Sequence, residues 1–209
     1  MINEIEWKTS NNPVEYNLAV LEIKKNSACE MIWLLEHNSI FTAGTSAKLE
    51  DLKNSNVNFL YTGRGGQWTW HGPGQRVVYL MLNLKNRLQD VKAYIYALEE
   101  LIILTLKDFY IDGVRINGQP GVWVKDNNGC NKIAALGIRI SSWITFHGIS
   151  INVNPNLDEF NNIVPCGIKN SGVTSFYKLG KKISLKELDI SLKKNFNKVF
   201  GNEGLFKLK

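Results

Sequence analysis

Lys132-Ile-Ala-Ala-Leu-Gly-Ile-Arg-Ile140, followed by a second apolar run from Trp143 to Val153, is the stretch that decides the fold. Both segments are apolar and of strand length, and their proximity in sequence predicts an antiparallel pair. They close a β-rich stretch from Val114 to Val153, in which Asn117-Gly118 and Asn128-Gly129 are turn signals. Towards the N-terminus, Phe59 to Leu84 reads as strand, glycine-rich loop and strand, and Met31-Ile-Trp-Leu-Leu-Glu-His37 as a buried strand. Helical spacing punctuates these hairpins. Asn12-Pro13, with Val14, Leu18, Leu21 and Ile23, predicts a capped helix with proline at its first position. Asp90 caps a long helix through Tyr110 whose apolar positions include Tyr94, Leu98, Leu101, Ile102 and Leu106. Pro155 to Ile163 reads as one or two helical turns, and Ser184 to Phe200 as a helix with Ser184 and Glu187 in capping-box spacing. Strands grouped in hairpins between helices predict an α+β fold, an α/β two-layer arrangement with a mixed sheet flanked by helices, rather than a doubly wound parallel sheet. No repeat or long linker divides the chain, so residues 1–209 are expected to form one domain.

A composition of 44% hydrophobic and 21% charged residues excludes a disordered, collagenous or coiled-coil chain. No run approaches the roughly 20 apolar residues of a membrane span, and the first residues lack the pattern of a secretory signal. Three cysteines, Cys29, Cys130 and Cys166, are too few and too odd for a disulfide scaffold. They point to a reducing, cytoplasmic setting in which a free thiol is available for chemistry. The net charge of +6 lies entirely in the last 32 residues, where nine lysines face three acids, and that segment contains no arginine. A basic patch without arginine argues against nucleic acid. It fits a solvated helix face or a docking surface for an acidic protein.

Two glycine-rich segments carry the candidate chemistry: Gly63-Arg-Gly-Gly-Gln67 and His71-Gly-Pro-Gly-Gln75. Neither has the spacing of a dinucleotide or P-loop phosphate site. Either they are tight turns between strands, or they bring backbone close to a ligand. Alternation of faces would set Arg64, Gly66, Trp68 and Trp70 on one side, an apolar wall, and Gln67, Thr69 and His71 on the other, a polar network. His37, His71 and His147 stand singly, without any metal-binding spacing, so no metal is expected. Cys166, in Val164-Pro-Cys-Gly-Ile168, is the cysteine whose surroundings suit a nucleophile, because Gly167 allows a sharp turn just after the sulfur. A lone cysteine is otherwise commonly structural. Lys132 begins an apolar strand, as edge protection or as a buried functional amine. Beside Cys166 the amine would have a clear use. A free thiol with a pKa of about 8.5 is only a few per cent thiolate near pH 7. An ammonium that lowers this by about two units, roughly 2.7 kcal/mol of interaction, makes thiolate the major form.

Taken with Thr69-Trp-His-Gly-Pro-Gly-Gln75, Lys132-Ile-Ala-Ala-Leu-Gly-Ile-Arg139, Phe146-His-Gly148, Asn152-Val-Asn154 and Pro165-Cys-Gly167, the sequence resembles the bacterial lipoyl(octanoyl) transferases. Trp33-Leu-Leu-Glu-His37 and Phe41-Thr-Ala-Gly-Thr-Ser46 extend the resemblance, which spans about residues 14 to 176. It implies the biotin/lipoate protein ligase-like fold, no metal or cofactor, an acyl-thioester on Cys166, and Lys132 as the group that activates it. It also implies acyl-chain contacts from Arg64, Gly65, Gly66, Gln67, Trp68, Thr69, Trp70 and His71, from Ala135, Leu136 and Gly137, and from Gly148, Ile149 and Ser150. Trp70 departs from the family pattern, where a tyrosine usually precedes the histidine, and Trp68 is bulkier than usual.

The implied reaction moves an octanoyl group from octanoyl-acyl carrier protein to a lysine of an apo lipoyl domain. The acceptors would be the E2 subunits of 2-oxoacid dehydrogenases and the glycine cleavage H protein. Burying seven chain carbons at about 0.8 kcal/mol each contributes roughly 5 kcal/mol, enough to prefer a medium chain over acetyl. Lysines such as Lys181, Lys182 and Lys186 are candidates for steering the acidic carrier. Two alternatives predict different behaviour: an ATP-dependent lipoate or biotin ligase needs no cysteine, and a non-catalytic carrier-binding module forms no thioester.

Overall fold

The computed structural model describes residues 5–26, 29–126, 129–164, 172–201 and 203–207, without the side chain of residue 126. In chain order the elements are β1 (Glu6–Thr9), α1 (Tyr16–Lys25), β2 (Met31–Leu35), β3 (Ile40–Ala43), β4 (Phe59–Tyr61), β5 (Trp68–His71) and β6 (Gln75–Met81). There follow α2 (Val91–Lys107), β7 (Gly113–Ile116), β8 (Gln119–Asp126), β9 (Gly129–Ser141), β10 (Ile144–Asn152), β11 (Gly172–Val173) and α3 (Leu185–Phe200). Pro155 to Ile163 contributes a 3-10 segment, Leu157–Asn162. The main sheet has the order β1-β2-β6-β10-β9-β8-β7, with β11 pairing β9 in parallel, and β4-β3-β5 form a second, small sheet. Parallel β1–β2 beside antiparallel β2–β6 makes the main sheet mixed, as expected.

The predicted hairpin is β9–β10, in a register that sets Ala135 opposite Ser150, Leu136 opposite Ile149 and Gly137 opposite Gly148. Ser142 and Trp143 turn it with φ of 50° and 66°. Two left-handed central residues match the right-handed twist of the flanking strands, a job usually given to Asn-Gly.

β6 is buried along its whole length, with alternate residues on opposite faces. Val78 and Leu80 enter a core with Leu98, Leu101 and Ile102 of α2 and Leu188, Leu192 and Phe196 of α3. Val77, Tyr79 and Met81 pack on the other face with Ala19 and Ile23 of α1. Each fully buried leucine or isoleucine contributes about 1.5–3 kcal/mol relative to exposure. Trp68 and Trp70 join Phe41, Ala43, Phe160 and Ile163 in a smaller cluster under the small sheet. No helix among the described residues is long and apolar enough to cross a membrane.

The two later helices begin where their caps predict. Asp90 accepts from the N–H groups of Lys92 and Ala93, and Ser184 and Glu187 form a reciprocal capping box. The first helix does not begin where predicted. It starts at Tyr16, with no side-chain cap from Glu15, while Val14 pairs strand-like with His37. Pro13 favours extended backbone at Asn12, and the N–H of Val14 goes to the carbonyl of Glu36 at 2.8 Å rather than into a helix.

Candidate active site

A cavity of about 370 Å³ lies along β9, walled by β5, β6, β10, α1 and the loop at 63–67. Its volume falls within the range of about 300–1,000 Å³ usual for small-ligand sites. Along β9 the wall runs from Lys132 to Ile138, roughly 20 Å of strand at about 3.3 Å per residue. It gathers Arg64, Gly65, Gly66, Gln67, Trp68, Thr69, His71, Lys132, Ala135, Leu136, Gly137, Gly148, Ile149 and Ser150. Trp70 stands apart from that wall. Its indole packs edge-on against Phe160 and donates to Ser39 Oγ at 3.0 Å. Cys166 and its neighbours at 165–171 lie outside the described residues.

The predicted alternation of faces holds in part within β5, where Trp68 and Trp70 share the apolar cluster and Thr69 and His71 face the cavity, although Trp68 also touches the cavity wall. It does not reach back to Arg64 and Gly66, because Gly66 has φ of 85° and the backbone there is not extended. Buried Arg64 builds this loop instead. Its Nη2 donates to the carbonyls of Thr42 and Gln67, both at 2.7 Å, and its Nε to Thr42 Oγ1 at 3.1 Å. The N–H of Gly65 reaches the carbonyl of Ile138 at 3.0 Å. The loop is thereby clamped between β3 and β9, with its backbone against the cavity.

Lys132 is 6% exposed and is not an edge residue, since it pairs with Trp123 of β8 on one side and Val173 of β11 on the other. Its Nζ donates to the carbonyl of Pro120 at 3.1 Å and lies 4.5 Å from the Trp123 ring centroid. A cation over that ring face is favourable, so the site suits an ammonium while keeping it on the cavity wall.

Towards the Ile138 end the wall turns aromatic and polar. Tyr16, His37, His71, Tyr79 and His147 pack ring against ring, with neighbouring centroids 5.1 to 6.1 Å apart. His37 bridges the carbonyl of Val14 and the hydroxyl of Tyr79, at 2.7 and 2.8 Å. His71 bonds Gln75 at 2.7 Å, and Gln75 donates onward to Asn152 at 2.9 Å. Burial pushes His37 and His147 down to about 4 and His71 well below its usual value, with Arg64 adding to the depression of His71 and His147. Burial likewise raises Tyr16 and Tyr79. At neutral pH the histidines and tyrosines at this end are therefore uncharged, and the cation beside them is Arg64, whose guanidinium is bonded to Thr42 and the carbonyl of Gln67. Among the described residues, no three His, Cys, Asp or Glu side chains are grouped to hold a metal ion.

Sequence reasoning did not select Tyr16, Val77, Tyr79, Ile95, Gln119 or Pro120 as wall residues. Only Gln119 and Pro120 had a local signal, the Asn117-Gly118 turn that precedes them. The others reach the cavity through the packing of α1, β6 and α2.

The chain has the fold of the lipoate- and biotin-protein ligases. A bipartite lipoate protein ligase from Thermoplasma acidophilum superposes with a TM-score of 0.69 at 12% identity, over 93% of this chain and 83% of that one. A biotin protein ligase from Aquifex aeolicus does so with a TM-score of 0.57 at 16% identity, over 98% and 74% of the two chains. The family model of the lipoyl protein ligase A/B catalytic domain matches residues 15–197. Octanoyltransferases from Bartonella quintana and Parvibaculum lavamentivorans are 50% and 48% identical to it, each over 94% of this chain and over 87% and 92% of their own lengths. The chain belongs to the lipoyl protein ligase A/B catalytic domain family and, within it, to the octanoyltransferases, which are acyltransferases.

Proposed function

We infer that the chain carries an octanoyl group from an acyl carrier protein thioester to the lysine of an apo lipoyl domain, through a thioester on Cys166 and with Lys132 as base. In the first step the Cys166 thiolate adds to the carbonyl carbon of the donor thioester. The carrier's sulfur leaves with the bonding pair and takes up a proton, so one thioester replaces another. In the second step the acceptor amine adds to that carbonyl, the Cys166 sulfur leaves, and the amine's proton passes to Lys132. The net change is thioester plus amine to amide plus thiol, which needs no nucleotide or metal. Lipoyl domains of 2-oxoacid dehydrogenase E2 subunits and the glycine cleavage H protein are the acceptors this reading takes, in the cytoplasm.

The observation that carries the reading is Lys132 itself, a buried amine held by a backbone carbonyl on the wall of a long, largely apolar cavity. An amine so placed can face both a carbonyl carbon and the sulfur attached to it, while the acyl tail lies along β9. The neutral histidines and tyrosines at that end accept an apolar tail, and the cation beside them, Arg64, is already buried and hydrogen-bonded to Thr42 and Gln67.

Intact-mass spectrometry after mixing with octanoyl-acyl carrier protein tests it. Wild type is expected to gain one octanoyl mass that hydroxylamine removes, C166S to gain none, and K132A to gain it slowly. Folded, active wild type without the adduct overturns the covalent mechanism, and octanoate transfer that consumes ATP would show a ligase instead.

A further inference from the structure

Glu99 stands on the buried face of α2, beside Leu98 and Leu101, where helical spacing calls for an apolar side chain, and is 7% exposed. A carboxylate in that position is costly unless it is paired. Its Oε2 lies 3.2 Å from Nε of Arg115 on β7. That cation has another carboxylate at hand, Glu100 at 2.6 Å, and also lies over the Tyr96 ring. The second partner of Glu99 is more telling: Oε1 accepts the N–H of Gly121 at 3.0 Å.

That N–H and the carbonyl of Pro120 belong to one planar peptide group. The same carbonyl accepts from Lys132 Nζ at 3.1 Å. A single peptide thus joins the two side chains, its N–H end on the carboxylate and its oxygen on the amine. The ladder around it is irregular. Gly121 has φ of 124°, and the pairing of β8 with β9 slips between Val122 and Trp123. Such a bulge re-aims the backbone locally. A side chain at position 121 would also meet the Ala134 carbonyl at 2.7 Å and Lys132 Cε at 3.3 Å.

We propose that Glu99 is a positioning residue for Lys132, acting through the Pro120–Gly121 peptide to aim the carbonyl that holds Nζ in place. A neutral amine bonded to that oxygen through one N–H has its rotation restricted, so its lone pair keeps a fixed direction along the cavity wall. The proposal rests on the assignment of Lys132 as base given above. It extends that assignment to a residue of another element which touches neither acyl group nor acceptor.

The test isolates the second half-reaction. The octanoyl-enzyme is prepared, identified by its hydroxylamine-labile mass, and mixed with apo lipoyl domain, for wild type, E99A and E99Q, with thermal melts of all three. Both variants lose the charge that Arg115 pairs with, so both are expected to melt lower and by similar amounts. E99Q keeps an oxygen for the Gly121 N–H and is expected to transfer within about threefold of wild type. E99A is expected to be slower by about tenfold or more at saturating acceptor, with the half-saturating acceptor concentration unchanged, as a misplaced base predicts. Equal slowing of E99A and E99Q, or full transfer by folded E99A, overturns the proposal. A wild-type protein that forms no octanoyl-enzyme overturns instead the assignment on which it rests.

Discussion

Gly148 has no room for a side chain. A Cβ there would sit 2.1 Å from the carbonyl oxygen of Val78 and 2.8 Å from a methyl of Leu80. A backbone oxygen in a paired strand cannot yield as a side chain can, so G148A must part β10 from β6 or push the buried Leu80 aside. The expected cost is about 1–3 kcal/mol in a denaturant titration, with loss of acyl transfer, because the same residue walls the cavity. Gly118 is the control: its φ is 76° but an added Cβ meets nothing. G118A should cost only the strain of a left-handed alanine, roughly 1 kcal/mol. Gly148 is not among the left-handed glycines, so a loss no larger than that of G118A would show that β10 and β6 yield to the added methyl. The glycines were conspicuous in the sequence, but which of them answers to contact depends on strands about 70 residues apart in the chain. Lys132 illustrates the same limit. One lysine opening an apolar strand reads first as edge protection and only second as a buried amine, and the pairing of β8 and β11 on either side of it decides for the buried amine.

Among the described residues, a buried ion pair ties α3 to the main sheet. Arg76 of β6 meets Asp189 through Nε to Oδ1 at 2.9 Å and Nη2 to Oδ2 at 3.0 Å. Burial raises the Asp189 carboxyl, an effect larger than the lowering by Arg76 beside it, so the pair is held at a real desolvation cost. D189A would leave the guanidinium buried without its partner and is expected to cost about 3–5 kcal/mol, whereas joint replacement, R76M with D189L, should cost far less. Chemical denaturation of both variants checks this, and equal losses would mean that helix packing alone holds α3. The helix was readable from its sequence, because Ser184 and Glu187 satisfy the first turn locally. The partner of Asp189 was not, since it lies 113 residues away. Local signals misled at α1, where the backbone of Val14 is taken by Glu36 and His37. They were silent at the β9–β10 turn, where strand twist imposes left-handed backbone on a serine and a tryptophan.

Over the whole molecule, three histidines that stand singly in the sequence come together at one end of the cavity, and this shapes how stability responds to acid. Burial holds His37 and His147 near 4 and pushes His71 well down, all below the value of about 6.5 for an unfolded histidine. Between those values the unfolded chain binds protons that the folded chain refuses. Their contribution is therefore complete above about pH 6.5 and is lost as pH falls towards 4, at up to about 1.4 kcal/mol per pH unit for each imidazole. Carboxylates held low act further down: Asp108, kept at about 2 by Ser191, Lys194 and Asn195, costs stability only below its ordinary 3.8. Asp189, raised by burial, acts in the opposite sense, its protonation favouring the fold as pH falls. The denaturant midpoint is thus expected to fall from pH 6.5 to 4.5, before the low carboxylates contribute. H37Q keeps groups able to bond the Val14 carbonyl and the Tyr79 hydroxyl but does not titrate, and it should flatten that fall by close to one imidazole's share. An unchanged slope in H37Q would show that His37 takes up its proton in the folded protein, and that this end of the cavity admits water and charge.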